Sequence, residues 1–490
     1  MRWTEFSRRR LLESGLRAAA LGAASSLLPP TAARLLAAQQ GAPGRADWPR
    51  FGCDLRNSRF NAGEMTLGRE NVERLKVKWS FDTEDDWPIQ MTPAVVGDTL
   101  YFGAGRYQYA LETSTGRRKW RFDWGANGEW ESTAWNMNPR YRNVRSSPQF
   151  ENGRLYFGTG SCAVFCIDAA TGKQIWKTTL LSPEQAERMS ANIYHSPVVY
   201  AGKVYIAHSG GDASIFCLDA DTGAIRWKFR VAQDVPPGLD TGGGSPWTSG
   251  AIDVERGILY NGTGNNKVIM PNLGLYTESL VAHDLDTGEL LWYDQVHPQD
   301  VFDLDFNAHP MVFDAEPPGR VRARSRPCVA AGNKAGIFCW DRYTGERTWK
   351  VMLGGQCTSC AAENNALATA YNRVFVQYAS VASVKPYSLT AGLHAYTGDI
   401  QWSVLNSGSH SSPIAVANRV LYQGFLSGKI EALDADNGRT LWEHTLPSAY
   451  RGGMAVANGA LYSSNGEAGG SRKPPVPYKY SMYCFTVDGK

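Results

Sequence analysis

One unit recurs along this chain: a short apolar strand ending in Asp or a similar residue, then x-x-Thr-Gly-x-x-x-Trp. It runs from Glu112 to Trp120, Asp168 to Trp176, Asp219 to Trp227, Asp284 to Trp292, Asp341 to Trp349, His394 to Trp402 and Asp434 to Trp442, the last with Asn437-Gly438 in place of Thr-Gly. The Thr-Gly step is a tight turn, glycine taking positive φ without steric penalty. The flanking strands alternate and are rich in β-branched and aromatic residues, as in Gly202-Lys203-Val204-Tyr205-Ile206. A meander of short antiparallel strands, repeated at about 40–65 residues, cannot bury its apolar faces alone and must stack on its neighbours.

Seven copies are complete and an eighth is split between the ends. The C-terminus supplies Ser481-Met482-Tyr483-Cys484-Phe485-Thr486-Val487-Asp488-Gly489 and the N-terminal side supplies Leu75-Lys76-Val77-Lys78-Trp79. Joined, they complete one more unit, which closes a ring and suits a propeller better than an open solenoid. The predicted fold is therefore all-β: an eight-bladed propeller over residues 45–490, with eight tryptophans at one register serving as structural anchors.

Residues 1–40 read as an address and not as fold. Ser7-Arg8-Arg9-Arg10-Leu11-Leu12 sets an arginine pair before an Ala-rich apolar run from Ala18 to Leu28, with small residues near Leu35-Leu36-Ala37-Ala38. This looks like a twin-arginine export signal, so a periplasmic or secreted location is expected. The alternative is a basic N-terminal membrane helix, but the run is short for a span and is interrupted by Arg17, Pro29 and Pro30. No later segment reads as a membrane span. A net charge of +3 asks for neither nucleic acid nor an anionic surface.

Export makes the nine cysteines candidates for disulfides. Cys166, Cys217, Cys339 and Cys484, however, share one strand register and fit a small buried slot. Cys357 and Cys360 form a CxxC pair followed by Ala361, which excludes covalent haem attachment there and leaves a local disulfide or a redox dithiol.

With the repeat in hand, the chain resembles the quinoprotein alcohol dehydrogenases, and in layout their polyvinyl-alcohol-dehydrogenase-like branch. The resemblance spans about Asp47 to Lys490 and opens on Trp48-Pro49-Arg50-Phe51-Gly52-Cys53-Asp54-Leu55-Arg56-Asn57-Ser58-Arg59-Phe60, followed by Asn71-Val72-Glu73-Arg74-Leu75. Its more specific part is Trp247-Thr248-Ser249-Gly250-Ala251-Ile252-Asp253, then Tyr260-Asn261-Gly262-Thr263-Gly264-Asn265, then His297-Pro298-Gln299-Asp300-Val301-Phe302-Asp303-Leu304-Asp305.

The resemblance implies pyrroloquinoline quinone (PQQ) and a metal ion, Ca²⁺ or a lanthanide, near the propeller axis. Trp247 would stack on the quinone, Asn265 would bind the metal, and Asp303 would be both a metal ligand and the catalytic base. Asp305 resembles the extra carboxylate of lanthanide-type members. Asp212, after Ser209-Gly210-Gly211, stands where the family has an acidic ligand, usually Glu. Arg145 matches the arginine that pairs with a PQQ carboxylate and Lys334 the basic residue near the quinone oxygens. Gln90 stands where Glu is usual, Ser209 belongs to the cofactor-facing Ser-Gly pair, and Asn365 is a late-blade contact. Adjacent cysteines typical of many members are missing, the stretch here being Asn136-Met137-Asn138-Pro139-Arg140-Tyr141-Arg142.

The residue types suit that chemistry on their own terms. A hard cation wants oxygen donors, a carboxylate can take a hydroxyl proton, and Arg and Lys neutralise carboxylates or reduced oxygens. Taken singly, Asp303, Asp305 and Asn265 would read as turn residues. Trp247 stands outside the anchor register. The expectation is a dehydrogenase for a small-molecule or polymeric alcohol, passing electrons to a separate acceptor such as a soluble cytochrome c. The competing reading is a cofactor-free propeller acting as an interaction or assembly scaffold.

Overall fold

Eight sheets are present in the computed structural model, each built from four consecutive short antiparallel strands except where noted. Blade 1 is typical: Ala94–Val96, Thr99–Ala104, Tyr107–Glu112 and Arg118–Asp123. Blades 2 to 7 follow over residues 149–179, 198–230, 251–295, 306–352, 366–407 and 415–445. In blade 8, Leu75–Asp82 is the outer strand on Ala455–Ala457, Ala460–Ser464 and Ser481–Val487 from the C-terminus, as the split repeat predicts. The structure describes residues 45–84, 87–126, 144–189, 191–210, 213–234, 243–265, 274–298, 300, 304–319, 324–352, 366–380, 387–408, 412–450, 452–466 and 479–490. The proposed export signal and the Cys357/Cys360 pair lie outside them. No helix among them is long and apolar enough to cross a membrane.

The reason for the repeat is visible at the blade junctions. Each anchoring indole packs over the turn glycine of the next blade: Trp79 over Gly116, Trp120 over Gly172, Trp176 over Gly223, Trp227 over Gly288, Trp292 over Gly345, Trp349 over Gly398 and Trp402 over Gly438. Its Nε1–H donates to a carbonyl of the same turn, as from Trp176 to Ala220 at 2.9 Å and from Trp349 to Ala395 at 3.0 Å. Trp442 donates to Leu75 at 3.1 Å, joining blade 7 to the split blade. In four of the turns the opening Asp acts as a cap: Asp168, Asp219, Asp284 and Asp341 each accept from the N–H three residues on.

The first strand of each blade lines the axis, side by side with those of its neighbours. Residues 48–61 wind around this hub and pair with one inner strand after another. Trp48 exchanges two backbone bonds with Val95, and Pro49, Leu55, Arg56, Ser58 and Arg59 accept from Phe150, Ile252, Val312, Thr369 and Val416. Phe60–Asn61 adds a parallel fifth strand to blade 7. At blade 3 a side chain substitutes for the backbone. The Gln149 amide donates to Val199 O at 3.2 Å and accepts from Val199 N at 3.1 Å.

Cys166, Cys217, Cys339 and Cys484 are unpaired and buried in strands, and burial pushes the first two and the last up to about 12. They are fillers of the strand slot and not nucleophiles.

Two glycines separate the cost of docking from the cost of the turn. Gly202 and Gly223 have nearly equal φ, +73° and +74°, but an added methyl meets nothing at Gly202, whereas at Gly223 it meets the Trp176 ring at 2.7 Å and the rotatable Thr178 hydroxyl at 2.5 Å. Gly223→Ala should therefore lose about 1–3 kcal/mol more than Gly202→Ala in urea unfolding. Equal losses would remove the indole from the account.

Candidate functional site

The inner strands set the level of the site. Just ahead of each, a hydroxyl ties one blade to the next: Thr92 N–H donates to Ser147 Oγ at 3.0 Å, Ser147 N–H to Ser196 Oγ at 2.9 Å and Ser196 N–H to Ser249 Oγ at 3.0 Å. Two residues before these lie Gln90, Arg145, Tyr194 and Trp247. Four consecutive blades thus present an amide, a guanidinium, a phenol and an indole at one end of the hub. The second strand of each blade returns to the same end, as the bridge between Asn192 and Ser209 shows. That return brings up Ser209, Asn265 and Lys334.

Contacts join these residues into one cluster. Arg145 Nη1 donates to Tyr194 Oη at 2.6 Å, and its guanidinium carbon lies 4.9 Å from the centre of that ring. The Tyr194 and Trp247 rings meet edge to face at 6.1 Å. Ser245, two residues before Trp247, accepts the Gly210 N–H on Oγ at 2.9 Å, and Ser209 Oγ donates to Asn192. Gly244 N–H donates to Asn265 O at 2.9 Å. Asn265 N–H in turn donates to Asp305 Oδ1 at 2.6 Å, and Lys334 Nζ donates to Asp305 Oδ2 at 3.1 Å. Gly264 permits this approach, since a methyl there would lie 2.8 Å from Asp305 Oδ1.

Asp305 and Lys334 are both buried, so each charge depends on the other. Beneath Tyr194, His195 Nε2 accepts from Gly250 N–H and from the Asn261 amide, and burial lowers its pKa to about 3. It is a neutral structural imidazole. Asp300 accepts the Leu304 N–H.

Of the residues singled out from the sequence, Arg145, Ser209, Trp247, Asn265, Asp305 and Lys334 lie within this web. Gln90 shares their level but stands outside the contacts described. Asp212, Asp303 and Asn365 lie outside the described residues, and so, therefore, do two of the four expected metal ligands. Among the described residues no group of three His, Cys, Asp or Glu is placed to hold a metal ion. Tyr194 and Ser245 were missed. The signal for Tyr194 was its register, because Asn192-Ile193-Tyr194-His195-Ser196-Pro197 lines up with Asn143-Val144-Arg145-Ser146-Ser147-Pro148.

The cluster carries spare bonding capacity. Arg145 Nε, Trp247 Nε1 and Thr248 Oγ1 are buried and without hydrogen-bond partners. Other buried atoms among the described residues, such as Trp48 Nε1 and Arg50 Nε, are orphaned too, but these three gather at one end of the hub, where one acceptor-rich ligand would satisfy them together.

The family described as the glucose/ethanol/alcohol dehydrogenase β-propeller domain matches residues 48–144 and 189–354. A second family, described as outer membrane protein assembly factor BamB, matches residues 276–467. The quinohemoprotein alcohol dehydrogenase of Comamonas testosteroni is 29% identical over 61% of this chain and 45% of its own length. Its crystal structure superposes with a TM-score of 0.78 at 22% identity, over 94% of this chain and 84% of that one. A polyvinylalcohol dehydrogenase of Pseudomonas sp. is 24% identical over 90% of this chain and 77% of its own. A europium-containing methanol dehydrogenase superposes with a TM-score of 0.75 at 19% identity, covering 93% of this chain and all of that one.

The buried pair offers a test of how the site is held together. Lys334→Met and Asp305→Asn should each cost about 3–5 kcal/mol, and the double variant clearly less than their sum. Urea unfolding of the four proteins measures the coupling, and strict additivity would show that the two charges do not depend on each other.

Proposed function

Because the chain belongs to the family of the glucose/ethanol/alcohol dehydrogenase β-propeller domain, the PQQ-dependent oxidoreductases, we propose that it is an exported dehydrogenase oxidising an alcohol. The observation that carries this reading is the set of orphaned donors of Arg145, Trp247 and Thr248 beside the Asn265–Asp305–Lys334 web. PQQ, a flat quinone with several carboxylates, fits such a set. It needs an apolar face, cations and hydrogen-bond donors together.

When bound, PQQ would supply the hydride-accepting centre. Trp247 would cover one face of it, Arg145 would neutralise a carboxylate, and Ser209, Gln90 and Asn365 would complete its contacts. Lys334, held by Asp305, would direct its ammonium at the quinone oxygens. Asn265, Asp212 and Asp303 are the oxygen donors for a hard cation, Ca²⁺ or a lanthanide, with Asp305 a fourth. Asp303 would take the hydroxyl proton of the substrate. The substrate is a small-molecule or polymeric alcohol, and a separate acceptor, such as a soluble cytochrome c, receives the electrons. The Arg8-Arg9 segment would direct export to the periplasm.

Purified protein incubated with PQQ plus Ca²⁺ or La³⁺ should retain quinone through gel filtration, with its absorption band, and should oxidise primary alcohols or polyvinyl alcohol with an artificial dye. Trp247→Ala should weaken quinone retention by at least about tenfold, since a buried aromatic face is worth over 1 kcal/mol. No quinone retained with any metal would leave the scaffold reading, to which the assembly-factor match, running from the last two strands of blade 4 into blade 8, also points.

A further inference from the structure

Tyr194 occupies a place that the reading above leaves without a role. It stands between Arg145 and Trp247 in register, one blade from each, and touches both. Its hydroxyl is the hydrogen-bond partner of Arg145 Nη1, and its ring lies under the guanidinium. Arginine loses side-chain entropy when fixed, and an unfixed guanidinium at this end of the hub would sample several rotamers. One phenol supplies both restraints, a hydrogen bond to the charged edge and a cation–π face. Held this way, Arg145 keeps its buried Nε–H without a partner. The same ring braces the Trp247 indole edge to face, and Trp247 Nε1–H is likewise unspent.

Resting on the quinone-binding reading, we propose that Tyr194 is a positioning residue that fixes Arg145 and Trp247 as one unit for a planar, polycarboxylate aromatic ligand. It acts through Arg145 and need not touch the ligand. The hydroxyl fixes the guanidinium plane and the ring limits tilt of the indole. Free-state order of this kind is recovered as affinity, because less is lost on binding.

The test is equilibrium dialysis of the full chain against PQQ, in the metal that supports binding by the wild type. Tyr194→Phe keeps the ring and removes only the hydroxyl. It should weaken PQQ binding about tenfold, the share of one hydrogen bond to a charged group, with the thermal midpoint unchanged. Arg145→Ala should weaken it more, and Tyr194→Phe in that background should add nothing, a non-additivity that a general packing role would not produce. Should Tyr194→Phe misfold, Arg145→Lys, which keeps the charge without the planar fork, reads the same contact and should show a similar loss. Unchanged affinity in Tyr194→Phe, or additive losses in the double variant, would overturn the role of Tyr194 while leaving the quinone reading intact. Absence of PQQ binding by the wild type would overturn both.

Discussion

The docking of one indole on the next blade's turn glycine is the contact on which this ring depends. Each does two jobs. The flat face of the tryptophan needs a turn without a side chain, and the indole N–H needs a carbonyl, and the Thr-Gly turn offers both. The glycine is required twice over, by its positive φ and by the ring pressed against it. Because the interaction runs from each blade to the next, its repetition leaves no exposed end. The split blade then fastens the termini together through the pairing of Leu75–Asp82 with Ser481–Val487. All of this takes place at the outer strands and their turns. The inner strands and the loops before them are left without a structural assignment from the repeat.

The hub divides those inner ends into a closed level and an open one. Residues 48–61 pair with the middle of the inner strands, below the hydroxyl ties, and fill the axis. The filling is costly. Arg59 is buried among carbonyls of Ile414, Phe51 and Met454 and faces the rings of Trp48 and Phe51, and burial lowers its pKa to about 9. Cys53, Asn57 and Arg59 all have positive φ there, strain that persists only where surroundings over-determine the backbone. Above this segment the inner-strand loops keep unpaired donors. Trp48 Nε1 and Arg50 Nε lack partners in the lower level too, but there they are enclosed by the packed segment, whereas Arg145, Trp247 and Thr248 lie together at the end of the hub where the inner-strand loops converge.

The fold was legible because its code is carried by side-chain identity at fixed spacing. Trp, Thr-Gly and the capping Asp can be counted without knowing any contact. The course of residues 48–61 was not legible, because it is held chiefly by backbone hydrogen bonds to inner strands, which leave no residue signature. Side chains add to it, Asn57 donating to Ser249 O and Arg59 to Ile414 O and Met454 O, but at no spacing that repeats. At the site, Trp247 stood out for lying off the anchor register, while Arg145 and Lys334 were found by resemblance. Tyr194 has no fixed spacing from the Thr-Gly turn; its register follows the Ser/Thr that ends each inner loop. Keyed there, Gln90, Arg145, Tyr194 and Trp247 fall into one column.

Asp305 ties the two halves of the site together, and its bonding bears on the metal. One oxygen takes the Asn265 N–H and the other the Lys334 ammonium. Both are already oriented by positive partners, and both residues of the ion pair are buried. A cation bound at Asn265 would share that carboxylate with Lys334, and two positive centres on one buried carboxylate repel strongly. On the proposed metal-binding reading, the pair favours a division of labour in which Asp305 sets the position of Lys334 and of the Asn265 backbone, and the charge to hold a cation would come from Asp212 and Asp303. On that division a trivalent ion would gain less from Asp305 than an extra carboxylate in the sequence suggests, since Lys334 already offsets its charge.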